Sequence, residues 1–203
     1  MVINSKSRNE LRALIESALL LAIGFVLSYF RFGIPWVQGG SVTPFSMLPI
    51  MVIGLRHGLK WGLGSGFVYA CLQMLQQFYP PPTATVDGYI AVVLLDYILA
   101  FTVLGLSGLF RGKKYGLLFA APLCLTLRFL CHFISGIVVW GIYAEDIPVW
   151  LYSLTYNGSY MAPELVLLII LGAVLCSTAP FLFTVSDKKD ADDDKNTPDD
   201  DTP

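Results

Sequence analysis

The first 185 residues of the chain carry too little charge to cover a water-soluble protein. The sequence of 203 residues contains 13 basic and 15 acidic residues. Of these 28 charged residues, 11 lie in the last 18 positions, as three lysines and eight aspartates. The other 17 make up about 9 % of residues 1–185, whereas soluble domains contain about 25 %. The chain is therefore predicted to be an integral membrane protein, and a large extramembrane catalytic domain is excluded.

Apolar segments separated by short polar connections predict six transmembrane helices, because a helix needs about 20 apolar residues to cross a bilayer. The predicted ranges are 11–30, 42–55, 58–78, 88–110, 116–140 and 157–185. The second is short, and Pro44 and Pro49 are expected to break it. The predicted fold class is thus an all-α integral membrane protein, with a six-helix domain over residues 1–185 and a disordered, acidic cytoplasmic tail over 186–203.

Basic residues predict the orientation, because cytoplasmic loops are enriched in lysine and arginine. If all six segments cross the membrane, 11 of the 13 basic residues lie on one side. Only Arg31 lies on the other side, and Arg128 lies within the fifth helix. Both termini are therefore predicted to be cytoplasmic.

Ionisable side chains inside predicted spans are costly to bury, so each marks a candidate functional position. Asp96, Arg128, His132 and Glu164 are of this kind. At a rise of about 1.5 Å per residue, Asp96, His132, Glu164 and also Tyr69 lie about 10–13 Å below the outer helix ends. Four helices are therefore predicted to place polar or aromatic groups at one level.

Aromatic residues are concentrated in the predicted outer segments, at positions 36, 79, 89, 140, 143, 150, 152 and 156. An ordinary interfacial belt would place similar rings at the inner ends, where only Trp61 and Tyr115 occur. Aromatic faces attract cations, so an outward-facing pocket for an aromatic organic cation is predicted, with Asp96 and Glu164 at its floor. The alternative is that Arg128 neutralises one acid while the other is protonated.

Enzymatic explanations find little support in the motifs. The sequence lacks the phosphate-binding pattern GxxxxGK[ST], so uptake would need an ion gradient or a separate energising partner. An intramembrane serine protease would need Ser65 beside His132, but helical rise places them at different levels. Gly62, Gly64 and Gly66 are instead predicted to pack helices. No metal site, cofactor motif or nucleic-acid-binding patch is predicted.

Three segments resemble the thiamine-specific S-component of energy-coupling factor transporters. They are GLKWGL at 58–63, LDYILAF at 95–101 and YSLTYNGSY at 152–160. The resemblance implies a non-enzymatic, six-helix subunit of the bacterial cell membrane that captures thiamine at the outer face. It also implies a transmembrane coupling subunit and two cytoplasmic ATPase subunits as partners, with docking at Ala18 and Ala22. Spacing alone leaves open whether these alanines serve docking or internal packing.

The resemblance further implies that Asp96 faces the thiazolium cation of thiamine. The implied substrate-binding residues are Trp36, Tyr69, Asp96, Tyr97, His132, Trp140, Tyr152 and Asn157. It does not decide whether Tyr79 or Tyr89 also contacts the ligand. The alternatives are an S-component for another vitamin, a gradient-coupled vitamin carrier, and a membrane enzyme built on Asp96, His132 and Glu164.

Overall fold

The computed structural model describes residues 5–33 and 41–184, and these form six helices. The helices are α1 (Ser5–Leu27), α2 (Leu48–His57), α3 (Leu59–Gln76), α4 (Val86–Phe110), α5 (Gly116–Val138) and α6 (Val149–Thr178). Short 3₁₀ turns follow α5 and α6, and strands β1 (Phe32–Gly33) and β2 (Ser41–Val42) form a small antiparallel pair. The predicted all-α class with six helices is confirmed. Trp36 and the acidic tail lie outside the described residues.

Prolines set several helix ends differently from the prediction. α2 is short, as expected, but it is not interrupted, because Pro44 precedes it and Pro49 lies in its first turn. α6 begins at Val149, directly after Pro148, rather than at residue 157. It ends before Pro180 rather than at residue 185. A proline is tolerated in the first turn of a helix, where its missing N–H needs no intrahelical partner, which explains the uninterrupted α2. Pro122 and Pro163 nevertheless lie inside α5 and α6, so a proline does not end every helix of this bundle.

Three of the six helices, α4, α5 and α6, are each long and apolar enough to cross a membrane. α1 exposes large apolar side chains on its outer face, including Leu14, Leu19 and Val26, each more than half exposed. Such a face suits contact with lipid acyl chains rather than with water. Together with the sparse charge, these helices support the membrane assignment, whereas the orientation of the termini stays a prediction.

The centre of the bundle is built around α2, whose residues Pro49 to Leu55 are all buried. A helix that is apolar on every side is stable only when neighbours cover it completely. Leu104 of α4 and Leu117 of α5 belong to the same core and are fully buried. The short helix predicted from the sequence is therefore the central packing element.

Glycines allow α3 and α4 to touch at the backbone. A Cβ atom added to Gly105 would lie 2.2 Å from the carbonyl carbon of Gly62. A Cβ atom on Gly66 would lie 2.8 Å from the Phe101 carbonyl oxygen. The predicted packing role of Gly62 and Gly66 is confirmed. For Gly64 it is wrong, because nothing lies within 4 Å of its added Cβ and the helical period turns it away from α4.

Glu16 of α1 ties together the end of the bundle opposite the α3–α4 and α5–α6 connections. Its Oε2 accepts hydrogen bonds from Arg56 Nε at 3.0 Å and Nη2 at 2.9 Å, and lies 2.9 Å from His57 Nε2. Its Oε1 accepts from Arg12 Nε at 2.8 Å. Arg56 Nη1 also donates to three carbonyl oxygens just after α6, including that of Leu182 at 3.0 Å. This network joins α1, α2 and the segment after α6.

Candidate functional site

A cavity of about 650 Å³ opens at the end of the bundle that carries the α3–α4 and α5–α6 connections. This volume lies in the range of pockets that bind small molecules. Six of the implied substrate-binding residues line it: Asp96, Tyr97, His132, Trp140, Tyr152 and Asn157. The fold thus brings side chains from α4, α5, α6 and the α5–α6 connection to one space.

The Asp96 carboxylate is the centre of a hydrogen-bonded group on the cavity wall. Its Oδ1 lies 2.9 Å from His132 Nδ1. Its Oδ2 accepts hydrogen bonds from Ser135 Oγ at 2.6 Å and from Trp140 Nε1 at 3.1 Å. A carboxylate has about four acceptor positions, so these contacts orient it and leave room for a further partner. Asp96 therefore offers the cavity a positioned negative group.

α4 changes its helix type where it reaches the cavity. It is α-helical over Val86–Ala91, π-helical over Val92–Leu99 and 3₁₀-helical over Val103–Phe110. π turns are rare and occur frequently at functional sites. Asp96 and Tyr97 are consecutive residues of the π segment, and both line the cavity. The apolar composition of the segment contains no signal for this irregularity.

Residues at four-residue spacing on α5 form one side of the cavity, namely Arg128, His132 and Gly136. Gly136 lets α5 approach α6, because an added Cβ would lie 2.1 Å from Ser153 Oγ. Ser153 Oγ in turn donates to the Phe133 carbonyl at 2.8 Å. The close contact holds the cavity faces of the two helices at a set separation.

Asn157 lines the cavity but uses its amide mainly to join helices. Its Nδ2 donates to the carbonyl oxygens of Ser153 at 3.0 Å and His132 at 3.3 Å. Its Oδ1 accepts from Tyr160 OH at 2.6 Å. Because the side chain is 4 % exposed and these groups are engaged, Asn157 positions His132 and Tyr160 as well as facing the cavity.

Tyr97 fixes the α3–α4 connection at the cavity rim. Its hydroxyl donates to the Gln77 carbonyl at 2.9 Å and accepts from the Tyr79 backbone nitrogen at 3.0 Å. Tyr79 lines the cavity. Tyr89 instead stacks on Phe78, with ring centroids 6.3 Å apart. Of the two tyrosines that the sequence left undecided, Tyr79 is therefore the one placed at the site.

The structure does not place Tyr69 on the cavity wall, which corrects its assignment as a contact residue. Tyr69 is completely buried, and its hydroxyl donates to the Gly24 carbonyl at 3.1 Å. Its ring packs edge-on against Phe101, which does line the cavity. Helical rise placed Tyr69 at the correct depth in the sequence analysis, but its direction around α3 turns it toward α1. Trp36, also implied as a contact, lies outside the described residues.

α6 contributes a stripe of cavity residues that the sequence analysis recognised only in part. Tyr152, Tyr156, Tyr160 and Glu164 follow one another at four-residue spacing and all line the cavity. Residues at this spacing share one face of a helix. The sequence predicts Tyr152 as a substrate-binding residue, Tyr156 among the outer aromatic residues and Glu164 at the pocket floor, but it does not single out Tyr160, which the periodicity could have identified. Starting the predicted helix at residue 157 concealed the pattern.

Two ionisable residues whose roles the sequence left open also line the cavity. Glu164 Oε1 accepts from the Thr43 backbone nitrogen at 2.7 Å and from Thr43 Oγ1 at 2.9 Å. The Arg128 guanidinium lies over the Phe101 ring, 4.1 Å from its centroid. Within the described ranges, Arg128 Nε and Nη1 have no hydrogen-bond partner, and Arg128 forms no ion pair with Asp96 or Glu164. These residues therefore do not support the alternative in which Arg128 neutralises an acid by pairing with it directly.

Comparison with known proteins agrees with the resemblance found in the sequence. The curated thiamine transporter ThiT of Bacillus subtilis is 35 % identical over 196 residues, covering 88 % of this chain and 97 % of the relative. ThiT of Lacticaseibacillus paracasei is 32 % identical over 202 residues, covering 91 % and 96 %. A solved structure of ThiT from Listeria monocytogenes shares the fold, with a TM-score of 0.72, 24 % identity and coverage of 87 % of this chain and all of that one.

A family model described as thiamine transporter protein matches residues 14–184, which include every helix that lines the cavity. Fold, sequence similarity and family model agree over nearly the whole described chain. The chain belongs to the thiamine transporter protein family.

Proposed function

We propose that the chain is the substrate-binding subunit that captures thiamine at the outer face of a bacterial cell membrane. The observation that carries this proposal is the positioned Asp96 carboxylate in a cavity lined by aromatic rings. A cation bound beside Asp96 offsets the cost of keeping a negative group in a membrane-embedded cavity. Thiamine joins a thiazolium cation to a flat pyrimidine, so it matches both features. The names of the relatives point to the same ligand.

In this proposal, Asp96 meets the thiazolium ring, while aromatic side chains contact the flat parts of the ligand. Trp140 lies between Asp96, to which its indole nitrogen donates at 3.1 Å, and Tyr143, on which its ring stacks at 6.3 Å. Trp140 is thus held with a ring available for stacking. The family resemblance alone assigns Trp36, outside the described residues, to a contact with the ligand. Cation–aromatic contacts of this kind contribute about 0.5–2 kcal/mol each.

The polar edge of the ligand is oriented by His132, Tyr152 and Asn157 in this proposal, and Tyr97 is a further contact residue. His132 lines the cavity, and its buried Nε2 has no hydrogen-bond partner among the described residues, so a ligand that reaches it would satisfy it. The same holds for Arg128 Nε and Nη1, which would donate to a ligand oxygen or nitrogen. A buried polar group without a partner costs about 1–3 kcal/mol, which a matching ligand recovers on binding.

Thiamine capture is tested by intrinsic tryptophan fluorescence of the purified, full-length protein. We expect saturable quenching at micromolar thiamine or below, because Trp140 lines the cavity. Trp140→Phe should remove much of the signal, whereas Trp61→Phe, at the opposite end of the bundle, should not. Thiamine recovered after release should be chemically unchanged, as expected of a protein that is not an enzyme. Absence of quenching, or tighter binding of another vitamin from a test panel, would contradict the assignment.

We further propose that uptake is driven by an energy-coupling factor module with one transmembrane coupling subunit and two cytoplasmic ATPases. Two features support this proposal: the sequence contains no phosphate-binding loop of its own, and α1 exposes small residues on its outer face. Ala18 and Ala22 are exposed there, one turn apart, among larger apolar side chains such as Leu19. Small side chains let another helix approach closely within a membrane.

Coupling is tested by thiamine uptake in cells with and without the energising module. Ala22→Trp is expected to reduce module-dependent uptake at least tenfold while leaving equilibrium thiamine binding unchanged, because it fills the docking face without reaching the cavity. Ala173→Trp, which changes an exposed alanine of α6, serves as the matched control. Uptake that persists without the module and collapses with the proton gradient would instead identify a gradient-coupled carrier.

A further inference from the structure

A second, smaller cavity of about 250 Å³ lies at the end of the bundle opposite the candidate thiamine site. It is enclosed by the first turns of α1, the junction of α2 and α3, and the residue that follows α4. Its lining residues include Lys6, Glu10, Arg12, His57, Trp61 and Arg111. Three cationic side chains and one acid therefore face this space, so it is positively charged even if His57 is neutral.

Arg111 is the cation of this cavity that the rest of the described chain leaves available. Within residues 5–33 and 41–184, no hydrogen bond or ion pair engages its guanidinium. The side chain lies over Gly58, where an added Cβ would be 3.6 Å from Nη1. Arg12 and His57 are, by contrast, held at 2.8 and 2.9 Å by Glu16. The Glu16 network thus positions one wall of the cavity and leaves Arg111 free to bind an anion.

The position of this cavity along the bundle suits a lipid headgroup. Trp61 lines it and packs edge-on against His57, with ring centroids 6.3 Å apart. Tryptophan is enriched at the level of the headgroups, where its ring faces both lipid and water. Apolar side chains on the first turns of α1, Leu11 and Leu14 among them, are exposed. A phosphate bound at Arg111 would therefore lie beside a helix whose exposed apolar side chains can contact acyl chains.

We propose that this cavity binds the headgroup of an anionic phospholipid, with Arg111 contacting the phosphate and Trp61 the glycerol region. Basic pockets between helices on the cytoplasmic side of membranes bind anionic headgroups in this way. The positive-inside rule places the same end of this bundle in the cytoplasm. The lipid joins α1 to the α2–α3 junction, so it stabilises the helix on which the proposed docking face lies.

Lipid retention tests the proposal by native mass spectrometry of the full-length protein, purified in micelles with equal amounts of phosphatidylglycerol and phosphatidylcholine. We expect the wild type to retain phosphatidylglycerol preferentially, and Arg111→Gln to reduce this retention at least threefold. Lys114→Gln removes one charge at the same end of the bundle but outside the cavity, and should behave as the wild type. Equal retention by Arg111→Gln and Lys114→Gln would overturn the proposal.

A thermal-stability measurement separates lipid from free anion. Phosphatidylglycerol should raise the Tm of the wild type, and inorganic phosphate at the same concentration should not. Equal stabilisation by both, lost in Arg111→Gln, would identify a free-anion site and overturn the lipid assignment. Arg111→Lys, which keeps the charge, should retain more than half of the lipid effect and provides a second variant if Arg111→Gln does not fold. None of these readouts uses thiamine, so they stand or fail separately from the proposed transport function.

Discussion

Asp96→Asn is expected to weaken thiamine binding about 100-fold, equivalent to about 3 kcal/mol. The amide has nearly the same shape as the carboxylate, and its oxygen can still accept from Ser135 and Trp140. What the variant loses is the negative charge that faces the thiazolium in the proposed complex. Removing one partner of a buried charge pair costs about 2–5 kcal/mol. Equilibrium titration by tryptophan fluorescence or calorimetry measures the change.

Asp87→Asn is the matched control for this prediction. Asp87 is exposed in the first turn of α4, so the same chemical change is made in the same helix but away from the cavity. Its thiamine affinity should stay within about threefold of the wild type, and both variants should keep the wild-type helical content. Unaltered affinity in Asp96→Asn would remove Asp96 from the site and, with it, the central element of the proposed function.

Gly105→Ala is expected to give the largest loss of stability, with the Tm lowered by roughly 5–10 °C. The added methyl group would lie 2.2 Å from the carbonyl carbon of Gly62 and 2.3 Å from both its oxygen and the Leu63 nitrogen. These are backbone atoms, so no side chain can rotate away and α3 must separate from α4. Overpacking costs about 1–3 kcal/mol where side chains can adjust. Because the contact is with backbone atoms, the stability lost in Gly105→Ala should lie at or above the upper end of this range.

Gly64→Ala provides the comparison, because nothing lies within 4 Å of its added methyl group. Alanine is favoured over glycine in helix interiors by about 0.5–1 kcal/mol, so this variant should be unchanged or slightly more stable. Differential scanning fluorimetry in detergent measures both proteins. Similar Tm values for the two variants would contradict the close contact between α3 and α4.

The depth of several site residues could be predicted from the sequence, but their direction could not. Helical rise placed Asp96 and His132 at one level, and in the structure their side chains lie 2.9 Å apart. The rise is a property of every regular helix, so counting residues from a helix end suffices. Tyr69 was placed at the same level, yet its hydroxyl bonds Gly24. Rotation about the helix axis depends on packing with neighbouring helices, which a single segment does not encode.

Other features of the site could not be predicted because they depend on contacts between distant segments or on where a helix begins. Arg128 and Glu164 were recognised as costly intramembrane charges, but their partners, the Phe101 ring and Thr43, come from distant segments. Tyr156 was predicted only as one of the outer aromatic residues and Tyr160 was not predicted at the site, because the start of α6 was predicted eight residues late. The π-helical turn around Asp96 also depends on packing rather than on composition.

The sequence alone determined that this chain is a six-helix membrane protein with acid and aromatic groups gathered toward one end. Hydropathy, helix length and the cost of buried charge act locally, so they can be evaluated one segment at a time. Only the tertiary structure decided that Asp96, His132, Ser135 and Trp140 form one hydrogen-bonded group and that Tyr79 rather than Tyr89 joins the cavity. Those choices depend on how closely the helices approach and how each is rotated, and both follow from contacts between segments far apart in the chain.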